Sequence, residues 1–481
     1  MPPAKDYRPR PCFPALADGF FDVVAPANFP RRVLRFRNQR WAERIGLGEL
    51  DATEWERHFA RFVPLEGNLR EPLALRYHGH QFMAYNPHLG DGRGFLFAQL
   101  LDRADDRLLD LGTKGSGRTP WSRTGDGRLT LKGGVRELLA TEMLEALGVN
   151  TSKTLSLFET GEQLDRGDEP SPARSSVLVR LSHSHIRIGS FQRHAYHGDA
   201  QRLRRLVDFS IEHYAPELAR GGGDESVIAL LREVCRRNAR LCASWMVAGF
   251  VHGVLNTDNL NITGESFDYG PYRFLPIYDP KFVAAYFDPA GVYAFGRQPA
   301  AVEWALGCLA EVLGQLCPRP ALAAALEGFR PELEAALAAA FLERLGLSSC
   351  GTDRDRELVA LAYAFLHESR VGYDQFFFDW YAGAASDARA RSSPESVKYS
   401  GESFALLRAA LDRYAPGAPE RLADPYFQRE WPTSLLIDEV ESLWGAIAER
   451  DDWAPLERKV AEIRAMGAVY GRSALDRRAD R

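Results

Sequence analysis

Cysteine is sparse in this chain and never clustered. Its six residues, Cys12, Cys235, Cys242, Cys308, Cys317 and Cys350, include no CxxC pair, which excludes a zinc ribbon or a disulfide scaffold. Cys235 and Cys242 stand one heptad apart on an apolar helical pattern, so both read as buried core thiols. This usage fits a reducing compartment. Long apolar runs are missing as well. No stretch reaches the length that spans a bilayer, and the opening MPPAKDYRPRPCF has no apolar signal core. The expectation is a cytoplasmic protein with no membrane partner. Excess charge of either sign is also lacking. A net charge of −5 over 481 residues supplies no field to gather nucleic acid, so no nucleic-acid partner is expected. Three common signatures are absent: GxxxxGK followed by Ser or Thr, GxSxG and HExxH. That excludes P-loop phosphate binding, the nucleophile elbow of hydrolases and the helix of zinc proteases. There is no internal repeat.

What is present centres on HGVLNTDNLNITGESFDYG, residues 252–270. It sets His252, Asp258, Asn259 and Asp268 between apolar segments, with Tyr269-Gly270 after the second aspartate. Phosphate transfer of the kinase type needs that order. One Asp lies near the nucleophilic hydroxyl, while an Asn and a second Asp hold magnesium against the phosphates. Both residue types offer the oxygen ligands that hard cations take. The spacing departs from ordinary protein kinases, because Asp258 adjoins Asn259 and lies six residues after His252. An aspartate of ordinary acidity, near pKa ~3.9, would be ionised and a weak base, so Asp258 is expected to orient the hydroxyl and take its proton late.

The front half reads as strand, lysine, helix, strand. FLFAQLL and LLDLGTK are strands, the second ending at Lys114, and GVRELLATEMLEALGV is a helix stopped by Gly148. KTLSLFET and SSVLVRLSHSHIRIGSF follow as strand-like text. From about residue 198 the pattern becomes helical, and DESVIALLREVCRRNARLCASWMVAGF delivers His252. The Ala-rich segment PALAAALEGFRPELEAALAAAFLERLGL carries a Leu and Phe stripe and reads as packed helices. Lys114 could meet a helical carboxylate. Order along the chain offers Glu137, whereas the helical wheel puts Glu142 on the apolar stripe and Glu137 opposite it. GDGR occurs at 90–93 and again at 125–128; such loops let backbone amides approach phosphates, although by themselves they are ordinary turns. Arg180 and Arg187 are forked cations suited to a polyanion, or simply a solvated basic edge. His183 and His185 lack a third ligand, and a zinc site there is rejected.

Together these segments resemble the SelO family, the selenoprotein O-like protein adenylyltransferases. The resemblance rests on GHQFMAYNPHLGDGR, LGTKGSGRTPWSRTGDGR, VRELLATEMLEALGV, VLVRLSHSHIRIGSF and HGVLNTDNLNITGESFDYGPYRFLPIYDP, in that order from about residue 70 to 300. It implies an α+β, protein-kinase-like bilobal fold with an N-terminal arm and a helical C-terminal extension. The implied divisions are an arm at 1–70, a small lobe at 71–197, a large-lobe core at 198–330 and a helical region at 331–481. The implied activity is transfer of AMP from ATP to Ser, Thr or Tyr hydroxyls of proteins, the enzyme itself included, with ATP reversed relative to kinases. Asp258 would accept the proton, with Asn259 and Asp268 as ligands of Mg2+ or Mn2+. Lys114 would contact phosphate and pair with Glu137, against the helical wheel. Gly90, Gly92, Arg93, Asp126, Gly127, Arg180, Arg187 and Asp268 would line the nucleotide site. UMP transfer, kinase-type phosphotransfer and a nucleotide-binding pseudokinase scaffold stay open as alternatives. The segment KGGVREL departs from the family's more usual serine-containing lead, and the C-terminal third lacks its asparagine-rich block. The final SALDRRADR carries no cysteine, so a redox link from tail to active site is not expected.

Overall fold

The computed structural model describes residues 6–167, 169–220 and 222–471; SALDRRADR lies outside them. The front half is built on an antiparallel sheet. Its strands are β1 (Phe21–Val23), β2 (Val33–Arg37), β3 (Leu73–Leu75), β6 (Leu96–Leu101), β7 (Leu108–Lys114), β8 (Leu129–Thr130), β9 (Lys153–Leu164) and β10 (Ala173–Ser182). A separate hairpin joins β4 (Gly79–Gln81) to β5 (Ala84–Asn86). The main sheet runs β1-β3-β6-β7-β10-β9-β2, with β8 also on β10. The arm therefore contributes an edge strand, with Phe21 opposite Leu75.

Every residue of β7 is buried, because both faces of the sheet are covered. On one face Leu109, Leu111, Val177 and Val179 meet Trp55, Phe59 and Phe97. These tie in α1 (Gln39–Arg44) and α2 (Ala52–Phe59), the latter started by a capping box between Asp51 and Glu54. On the other face Leu108, Leu157 and Leu178 pack with Val135, Leu138 and Leu139 of α3 (Leu131–Ala146). Thr130 caps α3, its Oγ1 accepting from the Gly133 amide at 3.1 Å, a bond worth about 1 kcal/mol.

Beyond β10 the chain is mostly helical. Helices α4 (Ile188–Tyr196) and α5 (Ala200–Tyr214) lead to α6 (Gly223–Ala248), which ends at the left-handed Gly249. The short pair β11 (Phe250–Val251) and β12 (Arg273–Phe274) then brackets the central loop. Further on lie α7 (Gln298–Leu313), α8 (Arg319–Leu326), α9 (Phe329–Leu345), α10 (Thr352–Ser369), α11 (Tyr373–Asp379), α12 (Asp387–Ser392), α13 (Gly401–Leu411), α14 (Ile437–Arg450) and α15 (Ala454–Val469). A second core joins Phe341, Phe365, Phe376, Phe377 and Trp380. The last helix returns to the front half: a Cβ on Gly467 would lie 3.1 Å from Ala146 of α3. Thirteen of the sixteen residues of α3 are consequently buried. Among the described residues no helix is long and apolar enough to cross a membrane.

Candidate active site

Strand β7 ends on Lys114, whose Nζ lies 2.5 Å from Glu137 Oε2 and 2.7 Å from Asp268 Oδ1. Arg180, opposite Gly112 across the β7–β10 ladder, brings Nη1 to 3.6 Å from Glu137 Oε1 and 3.6 Å from Asp268 Oδ1. Two cations and two carboxylates therefore converge. Asn259 Nδ2 donates to Asp268 Oδ2 at 3.1 Å. Asp268 has φ 65°, a left-handed backbone that Asp, like Asn, adopts more readily than most non-glycine residues. Burial alone would raise its pKa, but Lys114, Arg180, Arg93 and Arg187 hold it well below the ordinary carboxylate range.

Arg187 occupies the N-cap position of α4. Its Nη1 donates to the Asp258 carbonyl at 3.3 Å and its Nη2 to Asp91 Oδ1 at 3.3 Å. The guanidinium also lies over the Tyr77 ring at 4.2 Å. Asp258 is only 8% exposed. Burial pushes its pKa up to about 6, against the pull of Arg187. The ordinary acidity expected from sequence is thus corrected, because desolvation penalises the charged form. A carboxylate with that pKa is a better proton acceptor near neutrality. Its Oδ1 has no hydrogen-bond partner among the described residues.

The first GDGR loop is braced beside these side chains by residues 119–122, which lead into the second. Ser122 Oγ donates to the Gly92 carbonyl at 2.5 Å, and Thr119 Oγ1 to the Asp91 carbonyl at 2.6 Å. A Cβ on Gly90 would sit 2.4 Å from the Trp121 ring. Gly127 has φ 71°, and a Cβ there would lie 2.2 Å from the Gly117 carbonyl oxygen. Gly90, Gly92, Arg93, Lys114, Asp126, Gly127, Arg180, Arg187, Asp258 and Asp268 all line one cavity of about 850 Å³. Within it, the Asp126 carboxylate is engaged by Arg166 at 2.8 Å and by the Arg128 amide at 2.9 Å. Arg93 is exposed at the cavity wall. Asn259 joins the group through its bond to Asp268.

Glu137, not Glu142, meets Lys114. Glu142 is buried on another side of α3, 2.7 Å from Arg464 Nε and 3.2 Å from Arg40 Nη2. His252 is buried in the core with Nε2 3.1 Å from the Phe267 carbonyl, so it supports the loop instead of reaching a metal. The ring of His185 has Nδ1 3.2 Å from Asp110 Oδ2 and Nε2 3.3 Å from Arg180 Nε. Burial lowers its pKa; a neutral ring donating to Asp110 and accepting from Arg180 satisfies both contacts. The His183 amide donates to Glu265 Oε2 at 2.7 Å. Sequence reasoning missed Tyr77, Trp121 and Asp91. Asp91 had one usable signal, an acid between two glycines that an arginine would need as counter-ion.

A sequence-family model described as "Protein adenylyltransferase SelO" matches residues 4–464. The chain belongs to the SelO family. It is 44% identical over 468 residues to "Protein nucleotidyltransferase YdiU" of Synechocystis sp., covering 95% of this chain and 98% of that relative. A Gloeobacter violaceus protein of the same description is 43% identical over 471 residues, covering 96% and 95% of the two chains. One from Trichormus variabilis is 42% identical over 473 residues, covering 95% and 96%. This SelO-family site also fits a divalent cation. Asn259 and Asp268 offer amide and carboxylate oxygens, and the buried oxygens Glu137 Oε1 and Asp258 Oδ1 lack hydrogen-bond partners among the described residues.

Proposed function

We propose that this protein transfers AMP from ATP to Ser, Thr or Tyr hydroxyls of proteins, its own chain included, in the cytoplasm. The carrying observation is the meeting of Lys114, Arg180, Glu137, Asn259 and Asp268 beside Arg187 and Asp258 on one cavity. ATP brings several negative charges, each interacting with a cation by about 4 kcal/mol at 4 Å and an effective dielectric near 20. Lys114, Arg180, Arg187 and the exposed Arg93 are among the cations lining the cavity that can offset them. Asn259 and Asp268 would hold Mg2+, which when bound neutralises phosphate charge and polarises the reacting phosphorus.

The acceptor oxygen attacks the α-phosphorus, the bond from that phosphorus to the bridging oxygen breaks, and pyrophosphate leaves. Asp258 receives the hydroxyl proton. The Arg180 and Arg187 pair with the loop 122–128 supports a reversed nucleotide, its terminal phosphates on those cations and its α-phosphate toward Asp258. The strand, lysine, helix-glutamate and Asp-Asn-Asp order supports a kinase-like bilobal division, with a small lobe over 71–197 and the large-lobe core over 198–330.

The test supplies Mg2+ and ATP labelled at either the α or the γ phosphate, with UTP as competitor. AMP transfer predicts label on protein from the α position only, undiminished by UTP. Label arriving from γ alone would replace this reading with a kinase, and suppression by UTP would indicate UMP transfer.

A further inference from the structure

The hairpin β4–β5 turns at Phe82 and Met83, and both take left-handed backbone, φ 49° and 65°. Two-residue hairpins of that hand favour Asn, Asp and Gly at the turn, so two bulky residues there are strained. The strain is held in place from the central loop. The Phe82 amide is 3.1 Å from Asn256 Oδ1 and 3.2 Å from the Tyr293 hydroxyl, and the His80 amide donates to Thr257 Oγ1 at 2.8 Å. Asn256 and Thr257 immediately precede Asp258.

This strain does not serve the core. Phe82 is 37% exposed and Met83 51%. Beside them Tyr286 is 80% exposed and Phe287 44%, with Phe82 and Phe287 ring centroids 6.0 Å apart and Tyr286 and Phe287 5.1 Å apart. Phe82, Tyr286 and Phe287 thus form one exposed apolar patch, with Met83 next to Phe82 at the turn, and such patches mark interaction sites. Gln81, the neighbour of Phe82, lines the 850 Å³ cavity, so the patch continues from the cavity wall. The phosphates of ATP gain nothing from apolar surface. The second substrate can, and the hairpin borders the acceptor position: a Cβ on Gly79 would lie 3.0 Å from Asp258 Oδ1.

We infer that Phe82, Met83, Tyr286 and Phe287 dock the acceptor polypeptide. They select segments with an aromatic or leucine-like side chain within a few residues of the modified hydroxyl. Aromatic rings and a flexible thioether suit apolar partners of varied shape. The inference rests on the AMP-transfer reading for its choice of occupant.

Two synthetic peptides test it, identical except that the residues flanking a single serine are Leu and Phe in one and Gly and Ser in the other. Binding to the full chain is read by fluorescence anisotropy with Mg2+ and a non-hydrolysable ATP analogue, and AMP transfer is read with α-labelled ATP. The apolar peptide is expected to bind at least about tenfold tighter, the scale of one or two buried apolar side chains. The Tyr286→Ser/Phe287→Ser variant should lose that preference with nucleotide affinity unchanged. The Phe82→Ser/Met83→Gly variant, in which the glycine also relieves the backbone at position 83, should do the same. Equal binding of both peptides to the unaltered protein, or a preference that survives in a variant that binds nucleotide normally, overturns the docking surface. A preference that follows the patch while neither peptide acquires AMP supports the surface and counts against AMP transfer.

Discussion

Replacing Asp258 with asparagine is expected to stabilise the free protein and disable it together. Burial lifts the pKa of this carboxyl from its ordinary 3.8 to about 6. A pKa raised in the folded state means that the ionised form is held less well there than in the unfolded chain. The resulting penalty is absent below pH 3.8, grows between the two values and is complete above about 6. Two units at roughly 1.4 kcal/mol each make it about 3 kcal/mol. Asparagine keeps the shape and removes the charge. Unfolding entropy of about 2.1 cal/mol/K per residue comes to roughly 1 kcal/mol/K over 481 residues, so the thermal midpoint should rise by about 3 °C. Thermal unfolding followed by fluorescence, in EDTA and without nucleotide, measures it. The gain at about pH 8 should fall to roughly half at about pH 5. AMP transfer by the same variant should drop about 10²–10⁴-fold, the usual contribution of a general base. An unchanged or lower midpoint near pH 8 would refute the reasoning, since the charge would then be compensated in the fold.

Glu137→Gln and Glu142→Gln should separate function from support. The first removes the carboxylate 2.5 Å from Lys114 and should weaken ATP binding by about 10–100-fold, the scale of a charge-assisted hydrogen bond. The second leaves Arg464 and Arg40 without their shared partner and should cost about 1–3 kcal/mol in denaturant unfolding, with ATP affinity little changed by calorimetry; the opposite pattern would reverse the assignment. Gly127→Ala forces a side chain into a left-handed position 2.2 Å from a carbonyl oxygen. It should cost about 1–3 kcal/mol at the loop and weaken nucleotide binding, readable by titration.

Much of this site was legible because its chemistry needs particular residue types in a particular order. Lys114 at a strand end, Asn259 and Asp268 after a long helix, and the two GDGR loops all line or support one cavity. The helical wheel misled at Glu137 because it presumes one buried face, whereas α3 is covered by the sheet on one side and α15 on the other, and thirteen of its residues are buried. Nothing local in α3 announces a partner so distant in sequence. Asp258 read as an ordinary acid because desolvation is a property of the assembled fold. His183 and His185 read only as a failed zinc pair, since Asp110 comes from β7 and meets His185 only after the sheet forms. The turn at Phe82 and Met83 was invisible because QFMA carries none of the residues that favour such a turn, and only backbone angles reveal it.

The ion pair between Arg464 and Glu142 spans 322 positions of chain. During synthesis at about 5–20 residues per second, roughly 15–60 s pass between the emergence of the two partners. Over that interval the helix bearing the lysine's counter-charge has the sheet on one side and nothing from α15 on the other. A newborn chain therefore gains this support for its nucleotide cradle late, only once Arg464 has emerged from the ribosome.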